Sequence, residues 1–117
     1  MIEHSTQDGV CELVLGQAPC NEIGTAMVAA LEAFLDQLDV DRTHTLILRS
    51  TARGGFSAGA DLRELHAGLL ARPREEHAAE LRAFLDRIHA VMDRLDMLPL
   101  TTVGVVVSLF YFVGVSL

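Results

Sequence analysis

Hydrophobic and polar positions change their period several times along the chain, and each change predicts an element. Ile2 to Thr6 and Val10 to Leu15 are short, partly alternating runs separated by Gln7-Asp8-Gly9. An Asp-Gly step between such runs predicts a two-stranded antiparallel hairpin. Gly16 to Asn21, with Pro19 inside it, reads as a loop. Met27, Leu31, Phe34, Leu35 and Leu38 then recur at steps of three and four, the mark of an amphipathic helix. After a turn over Asp39 to His44, Thr45-Leu46-Ile47-Leu48 is an apolar run suited to a strand buried on both faces. The order strand, helix, strand predicts a right-handed crossover in an α/β layer.

Thr51 to Gly59 is a glycine-bearing loop, and Asp61-Leu62-Arg63-Glu64 has the D-x-x-E form of a capping box at a helix start. Gly68 to Arg74, around Pro73, reads as a linker. From Glu75 to Leu98 the residues Leu81, Phe84, Leu85, Ile88, Val91, Met92, Leu95 and Leu98 keep helical spacing, which predicts a second long amphipathic helix. Pro99 closes it. Thr101 to Val107, four Val and two Thr in seven residues, predicts another buried strand. Between Leu98 and Leu117 there is no charged residue.

Composition narrows the picture. The chain has 117 residues, enough for one domain with a core, and 50% of them are apolar, which excludes a disordered chain. Nine basic residues, all Arg, against 16 acidic ones leave a net charge of −7, the wrong sign for gripping a phosphate backbone. Nucleic acid is therefore not an expected partner. Cys11 and Cys20 lack a paired spacing and no signal peptide opens the chain, so the expected setting is a reducing cytoplasm. His4, His44, His66, His77 and His89 form no ligand-like cluster, and no metal is expected.

Chemistry points to the loop from Ala52 to Asp61. Its glycines let backbone approach a ligand closely, and a helix starting near Asp61 aims unpaired N–H groups and its positive dipole end at the same place. That arrangement suits an oxyanion; it serves equally as a tight strand-to-helix turn. The loop lacks the Gly-Lys-Ser/Thr of a phosphate loop and the spacing of a dinucleotide fingerprint. Ser57 has no recognisable His-Asp partners and reads as a loop serine. Asp86, Asp93 and Asp96, sharing a helix with Arg82, Arg87 and Arg94, read as a solvated face with local ion pairs.

The run Phe56-Ser57-Ala58-Gly59-Ala60-Asp61-Leu62-Arg63-Glu64-Leu65 resembles the signature of the crotonase superfamily, the enoyl-CoA hydratases and isomerases. The hairpin, Cys20-Asn21-Glu22-Ile23, Asp41 ahead of the strand ending at Leu48-Arg49, and Leu98-Pro99 follow in the family's order. The resemblance covers residues 1 to about 107 and leaves 108 to 117 as a divergent apolar tail. It implies an α/β fold, the N-terminal part of a crotonase-like ββα spiral, cut short because a full family domain is more than twice as long. It also implies an acyl-CoA thioester as partner, with coenzyme A belonging to the substrate and no separate cofactor. The backbone N–H of Ala60 would bind the thioester oxygen as it becomes an enolate, and Cys20, Glu22, Ala58, Ala60, Asp61 and Leu62 would line the coenzyme A channel. A donor aimed at developing charge is worth about 3 kcal/mol of barrier.

The family places its second oxyanion donor and first acid/base in a three-glycine turn followed by a glutamate. That register reads Phe112-Val113-Gly114-Val115-Ser116 here, with Val113 at the donor position and Ser116 in place of the glutamate. A hydroxyl cannot replace a carboxylate in acid/base work at neutral pH. The resemblance thus implies a hydratase/isomerase-like chain without turnover of its own. Two alternatives stand beside it. Leu98 to Leu117 is long enough to be a membrane anchor, and the chain could be a noncatalytic subunit that binds coenzyme A or joins the trimers and dimers of trimers usual in the family.

Overall fold

The computed structural model describes residues 1–106. Two strands, β1 (Ile2–Gln7) and β2 (Val10–Leu15), pair antiparallel with Gln7 opposite Val10. Asp8 and Gly9 make the two-residue connection at φ 53° and 81°, the double left-handed geometry that matches strand twist. Helix α1 (Thr25–Gln37) follows and leads into β3 (Thr45–Ser50), which runs parallel to β2 with Cys11 opposite Leu46. Helix α2 (Leu62–Leu70), a short 3-10 turn (Arg74–Glu76) and helix α3 (His77–Asp96) precede β4 (Thr101–Gly104), parallel to β3. The sheet order is β1-β2-β3-β4.

One face of this sheet carries the core. Alternation along β2 turns Cys11, Leu13 and Leu15 inward, and Leu46 on β3 joins them. Met27, Val28, Leu31, Phe34 and Leu35 of α1 and Ile88 and Val91 of α3 complete the cluster. On the opposite face Val10, Glu12, Val14, Ile47 and Arg49 are half-buried, with Arg49 Nε 2.7 Å from Glu12 Oε1.

Three expectations need correction here. Within Thr45–Leu48 only Leu46 is fully buried, because helices cover just one face of the sheet among the described residues. Thr101 to Val107 is not a buried strand over its described part: among the described residues β4 ends at Gly104, sits at the sheet edge, and leaves Val103 at 44% exposure. A valine-rich run reports what a strand could bury, not whether a neighbour arrives to cover it. The arginines of α3 do not simply pair along their own helix. Arg87 and Arg94 reach across to Glu32 and Asp36 of α1, at 2.6 and 2.9 Å, and the hydrogen bond that Arg87 donates to the Glu32 carboxylate holds its guanidinium above the ordinary pKa.

Among the described residues no helix is long and apolar enough to cross a membrane. The membrane-anchor alternative places its start at Leu98, yet Thr101–Gly104 is a strand hydrogen-bonded into the sheet. The stretch from 107 on, with the expected boundary at 107/108, Val113 and Ser116, lies outside the described residues.

Candidate functional site

Two loops meet where α1 and α2 begin. The first, residues 16–24, links β2 to α1; the second, residues 51–61, links β3 to α2. Backbone bonds lace them together: Ala58 N donates to Cys20 O at 2.9 Å, Ile23 N to Gly59 O at 2.7 Å, and Asp61 N to Ile23 O at 2.9 Å. The last two form a parallel bridge between Ile23 and Ala60, a one-step extension of sheet pairing into the loops. Gly59, at φ 83°, makes the bend just before it.

Asn21 is the hub under these loops, with 1% exposure and a left-handed φ of 49° that Asn tolerates. Its Oδ1 accepts from Gln17 N at 2.7 Å. Its Nδ2 lies 2.8 Å from Ser50 Oγ, 2.9 Å from Phe56 O and 3.3 Å from Leu15 O. Ser50 Oγ passes the network on to Gly55 O at 2.7 Å. A buried amide with this many partners pins both loops to the ends of β2 and β3.

Ser57 belongs to the same network. Its hydroxyl donates to Asn21 O at 3.0 Å and accepts from Gly59 N at 3.1 Å, so it shapes the turn, in keeping with a loop serine.

In front of the loops lies a cleft of about 490 Å³, bordered by Pro19, Glu22, Ala58, Ala60, Asp61 and Leu62 together with Arg63 and Glu64. The Ala60 N–H makes no hydrogen bond among the described residues, because the bridge to Ile23 uses Gly59 O and Asp61 N on its other side. Glu22, Ala58, Ala60, Asp61 and Leu62 thus come together around one opening. Cys20 lies beside it, its carbonyl holding Ala58 N. Arg63 lies inside the motif without a role implied by it, and only the cleft shows it as a cation at the rim. Among the described residues no group of three or more His, Cys, Asp or Glu is placed to hold a metal ion.

The capping box forms only in half. Asp61 caps α2, its carboxylate accepting from Glu64 N at 3.1 Å. The reciprocal bond, in which Asp61 N would donate to the Glu64 carboxylate, is absent, since that N–H already donates to Ile23 O. The Glu64 carboxylate turns instead to α1, accepting from Thr25 N at 3.0 and 3.1 Å through its two oxygens and from the Thr25 hydroxyl.

No protein-family model matches the chain. "Enoyl-CoA hydratase domain-containing protein 2, mitochondrial" of Bos taurus is 32% identical over 99 residues, covering 82% of this chain and 30% of the relative. "Methylglutaconyl-CoA hydratase, mitochondrial" of Rattus norvegicus is 30% identical over 98 residues, covering 83% and 29%. The chain therefore spans less than a third of the length of these curated relatives. Among solved structures, an enoyl-CoA hydratase/isomerase family protein from Silicibacter pomeroyi superposes with a TM-score of 0.69 at 29% identity, over 89% of this chain and 42% of its own. The enoyl-CoA hydratase of Bacillus anthracis shares the fold at a TM-score of 0.72 and 22% identity, over 90% and 39%. Fold, loop motif and relatives agree: this α/β chain matches, in sequence and in fold, the N-terminal part of enoyl-CoA hydratase/isomerase proteins of the crotonase superfamily.

Proposed function

We propose that the chain binds an acyl-CoA thioester in the cleft beside Ala58–Leu62, with the thioester oxygen accepting from the Ala60 N–H. The observation that carries this reading is that N–H itself: a donor with no acceptor among the described residues, at the cleft and one residue before a helix N-cap. The names of the relatives, hydratases of CoA thioesters, favour the same ligand. As the thioester gains enolate character its oxygen becomes negative, and a fixed N–H near a positive helix end lowers that charge without reorganising at the moment of reaction. Arg63 supplies a positive rim for the phosphates of coenzyme A.

Water addition also needs a general acid and base. Asp61 and Glu64 spend their carboxylates on helix caps, and the family position of the first acid/base falls on Ser116, with Val113 at the second donor. We therefore read the 117-residue chain as a binder of the thioester without hydratase turnover. A cytoplasmic setting, which two free cysteines suit, belongs to the same proposal.

Titration calorimetry with an acyl-CoA thioester and with its thioether analogue, which lacks the carbonyl oxygen, tests it. The expected result is binding of both, the thioester about tenfold tighter, a difference of one good hydrogen bond. Equal affinities would remove Ala60 from the reading, and no heat from either ligand at about 1 mM would overturn it.

A further inference from the structure

We infer that Glu64 is a positioning residue for the Ala60 N–H, acting as a clasp between the two helix starts that frame the cleft. The inference rests on the thioester-binding reading for its functional consequence and on geometry for the rest.

Helix α1 begins without its own means of capping. Its N-cap is Gly24, which has no side chain, and its first turn contains no acidic residue. Thr25 N would otherwise be an unsatisfied donor at the positive end of a 13-residue helix. Glu64, 39 positions later, supplies both the acceptor and the negative charge. Gly24 makes this approach possible: a Cβ there would collide with Glu64 Oε2 and lie 3.3 Å from Asp61 Cβ. The glycine is required for closeness, since its φ of −108° is open to any residue.

The same side chain sits at the third position of α2, where its own N–H is held by the Asp61 cap. A continuous path then runs from Ala60 through Asp61 and Glu64 to Thr25, and back through Ile23, whose N–H and C=O bridge Gly59 and Asp61. Ala60 lies inside this ring. Cutting it at Glu64 frees the 51–61 loop to shift against residues 20–24, and a displacement of about 1 Å in a positioned group is enough to cost up to about 100-fold.

The test uses the full chain with Glu64→Ala, Glu64→Gln and Gly24→Ala. Glu64→Ala should shrink the thioester-over-thioether preference about tenfold while thioether affinity stays within about twofold. Glu64→Gln keeps an oxygen acceptor for Thr25 N and should restore most of the preference. Gly24→Ala, which leaves Glu64 in place but displaces it, should reproduce the loss. Amide hydrogen exchange gives a readout independent of any ligand: the Ile23 and Asp61 amides should exchange about tenfold faster in Glu64→Ala than in the parent chain. Equal loss of both ligands, or a Glu64→Gln variant as weak as Glu64→Ala, would reduce Glu64 to a general stabiliser and overturn the inference. If the parent chain shows no thioester preference, the binding proposal fails on its own. Unchanged exchange at Ile23 and Asp61 then overturns the clasp separately.

Discussion

The cleft and the α3–β4 region solve the same problem differently. Around the cleft, polar groups are matched inside the chain itself: Asn21, Ser50, Ser57, Asp61 and Glu64 each meet backbone or side-chain partners, and the loops close on one another. Around α3 and β4, apolar groups remain uncovered among the described residues. Leu81, Leu85 and Met92 are 36 to 38% exposed, Met97 79%, and all four residues of β4 are exposed. Hydrogen bonds are directional and short, so a loop can satisfy them with residues close at hand. Apolar burial needs a second surface, and a helix or strand carrying a hydrophobic stripe is incomplete until one arrives.

Truncating the shared core should produce the largest effect. Leu13→Ala, at a residue with no exposed surface between β2 and the helices, is expected to cost about 4 kcal/mol in urea denaturation. Leu70→Ala on α2, 72% exposed, should stay within about 0.5 kcal/mol. A similar cost for both would mean that α2 is packed in solution.

Asn21→Ala is expected to cost about 3 kcal/mol, because it strands several buried donors and acceptors at once. It should also open the 51–61 loop to protease. Asn21→Gly separates causes, since glycine accepts the φ of 49° without strain. Recovery of more than half the stability by glycine would show that backbone conformation, not the amide network, dominates.

On the other side, Arg87→Ala removes the ion pair joining α3 to α1. Both partners are more than a third exposed, so only a small loss of stability is expected in urea denaturation, and most of it should vanish in about 1 M salt. The smallest change in stability should come from Val103→Lys, within about 0.5 kcal/mol. Sedimentation should nonetheless show less self-association than in the parent chain, as a charge on the exposed edge strand discourages pairing. Unaltered sedimentation would locate the associating surface elsewhere.

Local signals carried much of this molecule. Asp8-Gly9 announced the hairpin because a two-residue turn depends on its own φ angles. The steps of three and four in α1 and α3 announced helices because one face had to be apolar. The loop motif ending in Asp61 announced a strand-to-helix turn with free N–H groups, and Asp61 caps α2 as its position suggested. Glu64 shows where such reading stops. The D-x-x-E spacing pointed its carboxylate at Asp61 N, but Ile23 had already taken that donor, and no property of the four residues could reveal it. Asn21 carried no signal of its own beyond its place in the family order, because its importance is the sum of Leu15, Gln17, Ser50 and Phe56 arriving together.

Sequence alone was enough for the order of strands and helices, the left-handed turn at Asp8-Gly9, and the strand-to-helix turn that ends in the Asp61 cap. These follow from φ preferences, side-chain periodicity and caps, whose range is one turn or one strand. Long-range packing was needed to show that Glu64 caps α1, that Arg87 and Arg94 reach α1, and that Val103 of β4 lies open. Each of those depends on which group comes within a few ångströms from a distant part of the chain, and such meetings are settled by packing the sheet and helices together.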